Sequence, residues 1–349
     1  MLFLLVVSSL LVTAFDHDNH LLVESYGKLF LIKVTGESNV LLDRFNSASL
    51  SPDGRFMVYT TLQDQKSKTP SKLHFRSLTV GNDSEVASLV PGSYFKEIVW
   101  EPHGRSIAYS AALENKGERL FLLALPFNTG KPRDMGPWYQ GISFSPDGSK
   151  IVHAVNREPK KSELEVLDIA SGERMIVHSE KNILWEAKYA PVGDSIAFTM
   201  TNRDPGPGND DSPDCGGPSL GLRLYSGTAH RSRPVAFVGA PKNWDNVKNF
   251  TWSSDGRYLA LTLGTTDCDY PGSENGVFLI SADQNIHKQI SKGKLSFEPV
   301  FSPDNKTVAF VDFESGVAKL MRFDIQSGKL SLIREADSRN NFYHILDWK

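Results

Sequence analysis

Cysteine is almost absent from this chain of 349 residues, which carries two, Cys215 and Cys268. Two thiols exclude a disulfide-dense scaffold and a four-cysteine zinc site. Long runs of like charge are missing too. The 38 Lys and Arg stand against 41 Asp and Glu, a net charge of -3, so no clustered basic surface for nucleic acid is expected. The nine histidines include no His-x-x-x-His pair, and neither a Cys-x-x-Cys pair nor a phosphate-cradling glycine loop occurs. Only residues 2–12 form a long apolar run, too short to span a bilayer comfortably. It ends at Val12-Thr13-Ala14, small residues of the kind preferred for cleavage, and reads as a signal peptide over 1–14. The expectation is therefore a mature chain over 15–349, secreted or periplasmic, without a transmembrane span. In such a compartment Cys215 and Cys268 can form a disulfide.

What the chain does have is a repeated phrase. It stands as Leu50-Ser51-Pro52-Asp53-Gly54, Phe144-Ser145-Pro146-Asp147-Gly148 and Phe301-Ser302-Pro303-Asp304-Asn305. Degenerate copies begin at Trp100, Tyr189 and Trp252. An apolar triplet follows each at a fixed offset, as in Met57-Val58-Tyr59 and Ile107-Ala108-Tyr109. Pro presets φ for a turn, Asp bonds its own backbone, and Gly or Asn accepts positive φ, so each phrase reads as a hairpin between two apolar strands. A third strand, a second turn and a short outer strand follow. Four antiparallel strands per 40–50 residues is the signature of a propeller blade.

The phrase occurs six times, and the C-terminal segment 343–348 matches the strand that precedes it elsewhere. The ends of the inner strands are then Leu50, Trp100, Phe144, Tyr189, Trp252, Phe301 and Trp348. The expected fold is all-β: one seven-bladed β-propeller of four-stranded antiparallel blades. One blade is closed by pairing the C-terminal strand with strands from residues 20–43, which removes two exposed edges.

The phrase resembles the repeat of the TolB C-terminal propeller and of the related propellers of the prolyl oligopeptidase group, over nearly the whole mature chain. The resemblance implies the fold. TolB has six blades behind an α/β domain, and the prolyl oligopeptidases add a hydrolase domain with a Gly-x-Ser-x-Gly elbow. Neither extra domain is expected here, nor a Gly-x-Ser-x-Gly motif, so neither activity is expected to carry over directly. Some seven-bladed relatives resemble oligogalacturonate lyase, which implies metal-bound histidines in the central funnel. Here His153 is expected in the core, His103 in a solvent-facing turn and His344 on an inner strand.

Propeller topology places the long loops 63–71, 202–219 and 265–275 on one face, opposite the Ser-Pro-Asp-Gly turns, and function concentrates on such loops. Aromatics gather where the inner strands begin, and Tyr94, Trp138, Tyr139, Trp244, Phe342 and Tyr343 are the expected partner-binding residues. Packing between blades is the default for any one of these rings, and Trp138 and Trp244 are the candidates for exposure. Two loops of that face are acidic. Asp210, Asp211, Asp214, Asp267 and Asp269 are the residues that could gather around a calcium ion, although they match no EF-hand spacing and a solvated acidic rim is the default. No catalytic residue and no other cofactor is expected. The leading expectation is a non-catalytic binding module for a protein or cell-envelope partner. The alternative is a carbohydrate-active enzyme resembling oligogalacturonate lyase, with a His/Asp/Glu/Arg cluster in the central funnel.

Overall fold

A computed structural model describes residues 20–25, 27–61, 70–126, 131–138, 140–157, 161–201, 220–242, 244, 246–265, 274–314, 316–336 and 343–349. They form 28 strands and no helix, so no described helix is long and apolar enough to cross a membrane. The strands group by fours into seven blades: residues 45–88, 94–137, 140–180, 184–234, 246–289 and 295–335 form blades 1 to 6. Blade 7 takes its inner strand from His344–Trp348 and its other three from His20–Ser25, Lys28–Lys33 and Ser38–Asp43. Blades 5 and 6 are also joined by one parallel backbone bridge, between Asn275 and Leu295.

Why these segments form strands follows from their surroundings. The second strand of a blade is covered on both faces by neighbouring blades. It therefore reads as an unbroken apolar run, as in Tyr258–Gly264 and Thr307–Glu314, rather than as an alternating pattern. Outer strands such as Asp83–Ser88 face water and are polar. Seven hydrophobic clusters fill the seven junctions. One links Leu21, Val23 and Trp348 of blade 7 to Val311 and Leu320 of blade 6, and another links Leu22 and Leu31 of blade 7 to Phe45 and Met57 of blade 1. The closure is an antiparallel pairing in which Leu21 lies opposite Trp348 and Val23 opposite Ile345.

The repeated turn is organised by its serine as much as by its Pro, Asp and Gly. In four copies the hydroxyl of Ser51, Ser145, Ser253 or Ser302 donates to the Asp two residues on, at 2.6–2.7 Å. The same oxygen accepts the backbone N–H five residues on, at 2.9–3.0 Å. Blade 2 inverts the chemistry: Glu101 replaces the serine and His103 the aspartate, and their side chains meet at 2.6 Å. The Glu101 carboxylate also reaches the turn of blade 3, where a Cβ on Gly148 would collide with it. That position needs glycine for space as well as for its φ of 72°.

Blade 4 has neither version, since Ala190 and Val192 hold the two positions. All of these turns lie at one end of the ring. The connections from second to third strand, and from each outer strand to the next inner strand, lie at the other.

Candidate functional site

The inner strands line the central channel, and each carries a bulge: the pairing register with the second strand shifts once in every blade. A bulge frees a residue from the ladder and re-aims its side chain. Three residues before the end of the inner strand stand Ser47, Glu97, Gly141, Glu186, Asn249, Glu298 and Ile345. Three glutamates thus occupy one level of the ring.

These and neighbouring polar groups clasp one blade to the next. Glu97 accepts the N–H of Ile142 in blade 3 at 3.2 Å. Ser143 accepts the N–H of Tyr189 in blade 4 at 2.9 Å. Glu186 pairs with Lys188 at 2.6 Å, and the Lys188 ammonium donates to the Phe250 carbonyl of blade 5 at 2.6 Å. Glu298 takes both His344, at 2.8 Å, and the N–H of Ile345, at 2.9 Å, and so holds the closing strand. Asp347 of that strand accepts the N–H of Leu50 in blade 1 at 3.3 Å. The clasps satisfy backbone groups that the channel edge of each inner strand leaves without a ladder partner.

The electrostatics of this ring are uneven. Burial pushes the Glu97 carboxyl up to about 7; the Lys188 ammonium works against that shift and the Glu186 carboxylate adds to it. Between them blade 3 contributes only Gly141, where a Cβ would meet open space. His344 is pushed above its usual value by the hydrogen bond to Glu298. The mouth of the channel on the long-connection side also keeps two aromatic rings in water: Tyr94 and Trp185 are 47 % and 36 % exposed. Exposed Lys96 and Lys248 belong to the same inner strands as Glu97 and Asn249. The arrangement offers stacking surfaces, both signs of charge, and one carboxyl able to exchange a proton near neutrality. Among the described residues, no three His, Cys, Asp or Glu side chains are placed to hold a metal ion.

Several expected site residues lie elsewhere. Trp138 is 2 % exposed, not a surface ring. It lies flat on His153 with centroids 3.7 Å apart, donates its indole N–H to the Gly141 carbonyl at 3.1 Å, and has the Arg174 guanidinium over it. Trp244 is 6 % exposed and meets Phe278 edge-on. Its ring fills the space a Cβ on Gly276 would need. Tyr343 is buried and bonds the Glu335 carbonyl at 3.3 Å.

These three residues stand where the chain crosses from one blade to the next. A large ring on a crossing segment gains most by filling the seam between the blades, so the expectation of exposure is corrected for each. Of the described members of the expected set, Tyr94 is the exposed one. Tyr139, Phe342, Cys215, Cys268, Asp210, Asp211, Asp214, Asp267 and Asp269 fall outside the described residues. His153 is buried as expected, whereas His344 is paired with Glu298 rather than with other histidines.

Trp185 is one of the aromatics gathered where the inner strands begin, though outside the expected partner-binding set, and Glu97, Glu186 and Glu298 were not among the expected residues. The signal that finds them is their distance from the strand-ending aromatic, once the blades are aligned on it. A Gly-x-Ser-x-Gly pattern does occur, at Gly217-Pro218-Ser219-Leu220-Gly221, contrary to expectation. Leu220 and Gly221 open the third strand of blade 4, and the strand–turn–helix setting of a nucleophile elbow is missing from the described residues there.

No family model matches the chain, and no curated protein matches it significantly. Solved structures do. TolB from Acinetobacter baumannii aligns at 17% identity and a TM-score of 0.54, over 90% of this chain and 78% of that one. Oligogalacturonate lyase in complex with manganese aligns at 13% identity and a TM-score of 0.60, over 91% and 85%. The β-propeller domain of the Trilobed protease from Pyrococcus furiosus, described as having an open velcro topology, aligns at 13% and 0.59, over 83% and 84%. At these identities the likeness is one of fold.

Proposed function

We propose that this TolB-like β-propeller is a binding module that takes a protein or cell-envelope partner at the mouth of its central channel, on the face of the long connections. The observation that carries the reading is the pair of exposed rings, Tyr94 and Trp185, set on rigid inner strands beside Lys96 and Glu186. Large aromatics ringed by charges supply the anchors of protein interfaces at low entropic cost. The apolar N-terminal segment supports export, and so a secreted or periplasmic location. Calcium binding by the acidic loops and a Cys215–Cys268 disulfide stay part of the proposal.

The test is affinity capture from the native extracellular or periplasmic fraction, with a Tyr94→Ala/Trp185→Ala variant as comparison. The expected result is a partner retained by the wild type and weakened at least tenfold by the double variant, since two anchors are each worth about 1–2 kcal/mol. A partner retained equally by both would remove the channel mouth from consideration.

One observation favours a second reading, a carbohydrate-active enzyme working in the channel: the Glu97 carboxyl, pushed by burial up to about 7, lies within electrostatic reach of Glu186. Acid–base work near neutral pH needs a group that exchanges its proton there. On that reading Glu97→Gln lowers turnover of a polysaccharide fragment by about a hundredfold or more and abolishes the rate inflection near pH 7. An unchanged rate in the variant would end it.

A further inference from the structure

The junctions of blades 3 and 4 and of blades 6 and 7 each open a cavity on the face of the repeated turns, away from the channel mouth. The junction of blades 3 and 4 holds a cavity of about 550 Å³, whose lining includes Tyr189, Tyr225, Met175, Ile176 and Val177. Volumes of this size accept small molecules or one or two side chains. Met175 and Ile176 are 56 % and 49 % exposed, an apolar wall left to water.

The chemistry of the cavity follows from an irregularity in the repeat. The residue after the turn glycine (or Asn305) is basic in four of six copies: Arg55, Arg105, Arg257 and Lys306. Each of these pairs with an acid of its own turn, at 2.7, 3.7, 2.6 and 3.3 Å. In blade 3 the position is Ser149 and in blade 4 it is Asp194. The two turns that border this cavity are therefore the two that lack their own cation. Both acids, Asp147 and Asp194, line it.

Asp147 is held ionised, at about 2, by the hydroxyls of Ser145 and Ser149 and the Ser149 N–H. Asp194 accepts the Thr228 hydroxyl. Neither has an ion-pair partner among the described residues. The cavity's Lys150 stands across the strand pair from Asp168, whose carboxylate it stabilises. His230 meets the Tyr225 hydroxyl at 3.4 Å. The Tyr189 hydroxyl has no hydrogen-bond partner among the described residues, and both phenols feel the nearby carboxylates.

We propose that this cavity is a binding site for a protonated amine or guanidinium carried on an apolar chain. The ligand supplies the cation that the other turns carry on their own chain. Its charged head lies between Asp147 and Asp194 and donates to the Tyr189 phenol, and its alkyl stem lies along Met175 and Ile176. A free alkyl diamine and a lysine side chain of a partner polypeptide present the same chemistry.

The test is calorimetric titration of the full protein at low salt with cadaverine, with a capped tripeptide holding one central lysine, and with the same peptide holding norleucine. The expected result is binding of an amine probe in the millimolar range or tighter, at least tenfold weaker binding of the norleucine peptide, and weakening by salt. Asp194→Asn and Tyr189→Phe are each expected to weaken the amine about tenfold. Ile176→Lys, at an exposed position that leaves folding intact, places an ammonium of the chain's own at the rim and is expected to abolish binding. Tighter binding of cadaverine identifies a free amine, and tighter binding of the lysine peptide identifies a basic side chain; either supports the site. Lack of binding by both at 10 mM (about 3 kcal/mol), equal binding of the norleucine peptide, or undiminished binding by Asp194→Asn overturns it.

Discussion

Deleting residues 344–349 is expected to abolish cooperative folding rather than to trim a surface. The deletion removes the inner strand of blade 7, whose Ile345 and Trp348 are buried against Leu21, Val23 and Leu320. It also strips the pairing partner from His20–Ser25 and the Glu298 and Asp347 clasps from the blades on either side. Losing a buried tryptophan costs about 3–5 kcal/mol and a buried isoleucine about 2–5 kcal/mol. Together these rival the whole stability of an ordinary domain, about 5–15 kcal/mol. The exposed strand edge is also a template for pairing with other chains. Urea denaturation followed by circular dichroism, with sedimentation velocity, checks this. A monomer with a native-like sharp transition would show that the ring does not depend on its last strand.

Replacing Glu165 with Gln is expected to destabilise the fold by about 3 kcal/mol near neutral pH and to flatten its response to acid. Glu165 is buried between His153, at 2.9 Å, and Arg174, at 2.6 Å, beneath the Trp138 stack. The His153 hydrogen bond, opposed by burial and helped by Arg174, holds its carboxyl at about 2. A group depressed in the folded state stabilises it fully above its unfolded value, near 4.5, and loses that contribution as pH falls through about 2. Solvent screening discounts that depression, which leaves a contribution on the order of 1–3 kcal/mol.

The neutral amide keeps the shape but leaves Arg174 without its carboxylate, a change that in buried pairs costs about 3–5 kcal/mol. Urea midpoints measured between pH 2 and 6 separate the two proteins: the wild type is expected to weaken steeply on acidification and the variant much less. Equal acid slopes would mean that Glu165 is not the group responsible. Trp138→Ala is expected to act non-additively with Glu165→Gln, because the ring rests on His153.

How much of this was legible beforehand differs from element to element. The second strands announce themselves because burial on both faces demands unbroken apolar runs, and the turns do so because positive φ demands Gly or Asn. The shared blade followed from counting, since seven strand-ending residues stand against six turns. The role of Ser51 and its counterparts was missed because a serine beside Pro-Asp-Gly looks like ordinary turn composition; only its simultaneous donation and acceptance reveal a hub.

The channel residues were hidden for a different reason. Glu97, Glu186 and Glu298 are far apart in sequence and sit at bulges, where alternation breaks and no local pattern says which way a side chain points. Trp138 and Trp244 misled because a ring in a connecting segment looks exposed, whereas a connection that crosses a seam is part of the core.

The sharing of blade 7 between residues 20–43 and 344–348 sets an order in time. Blades 1 to 6 can each assemble from contiguous chain, but the pairing of Leu21 with Trp348 must wait until more than three hundred residues have been delivered. Contacts of such long sequence separation are the slowest to form, and the partly built ring holds an unpaired edge meanwhile. A chain emerging N-terminus first therefore keeps blade 7 open until residues 344–348 arrive, and only then locks. That late lock makes the segment 344–348 a timer for closure of the ring.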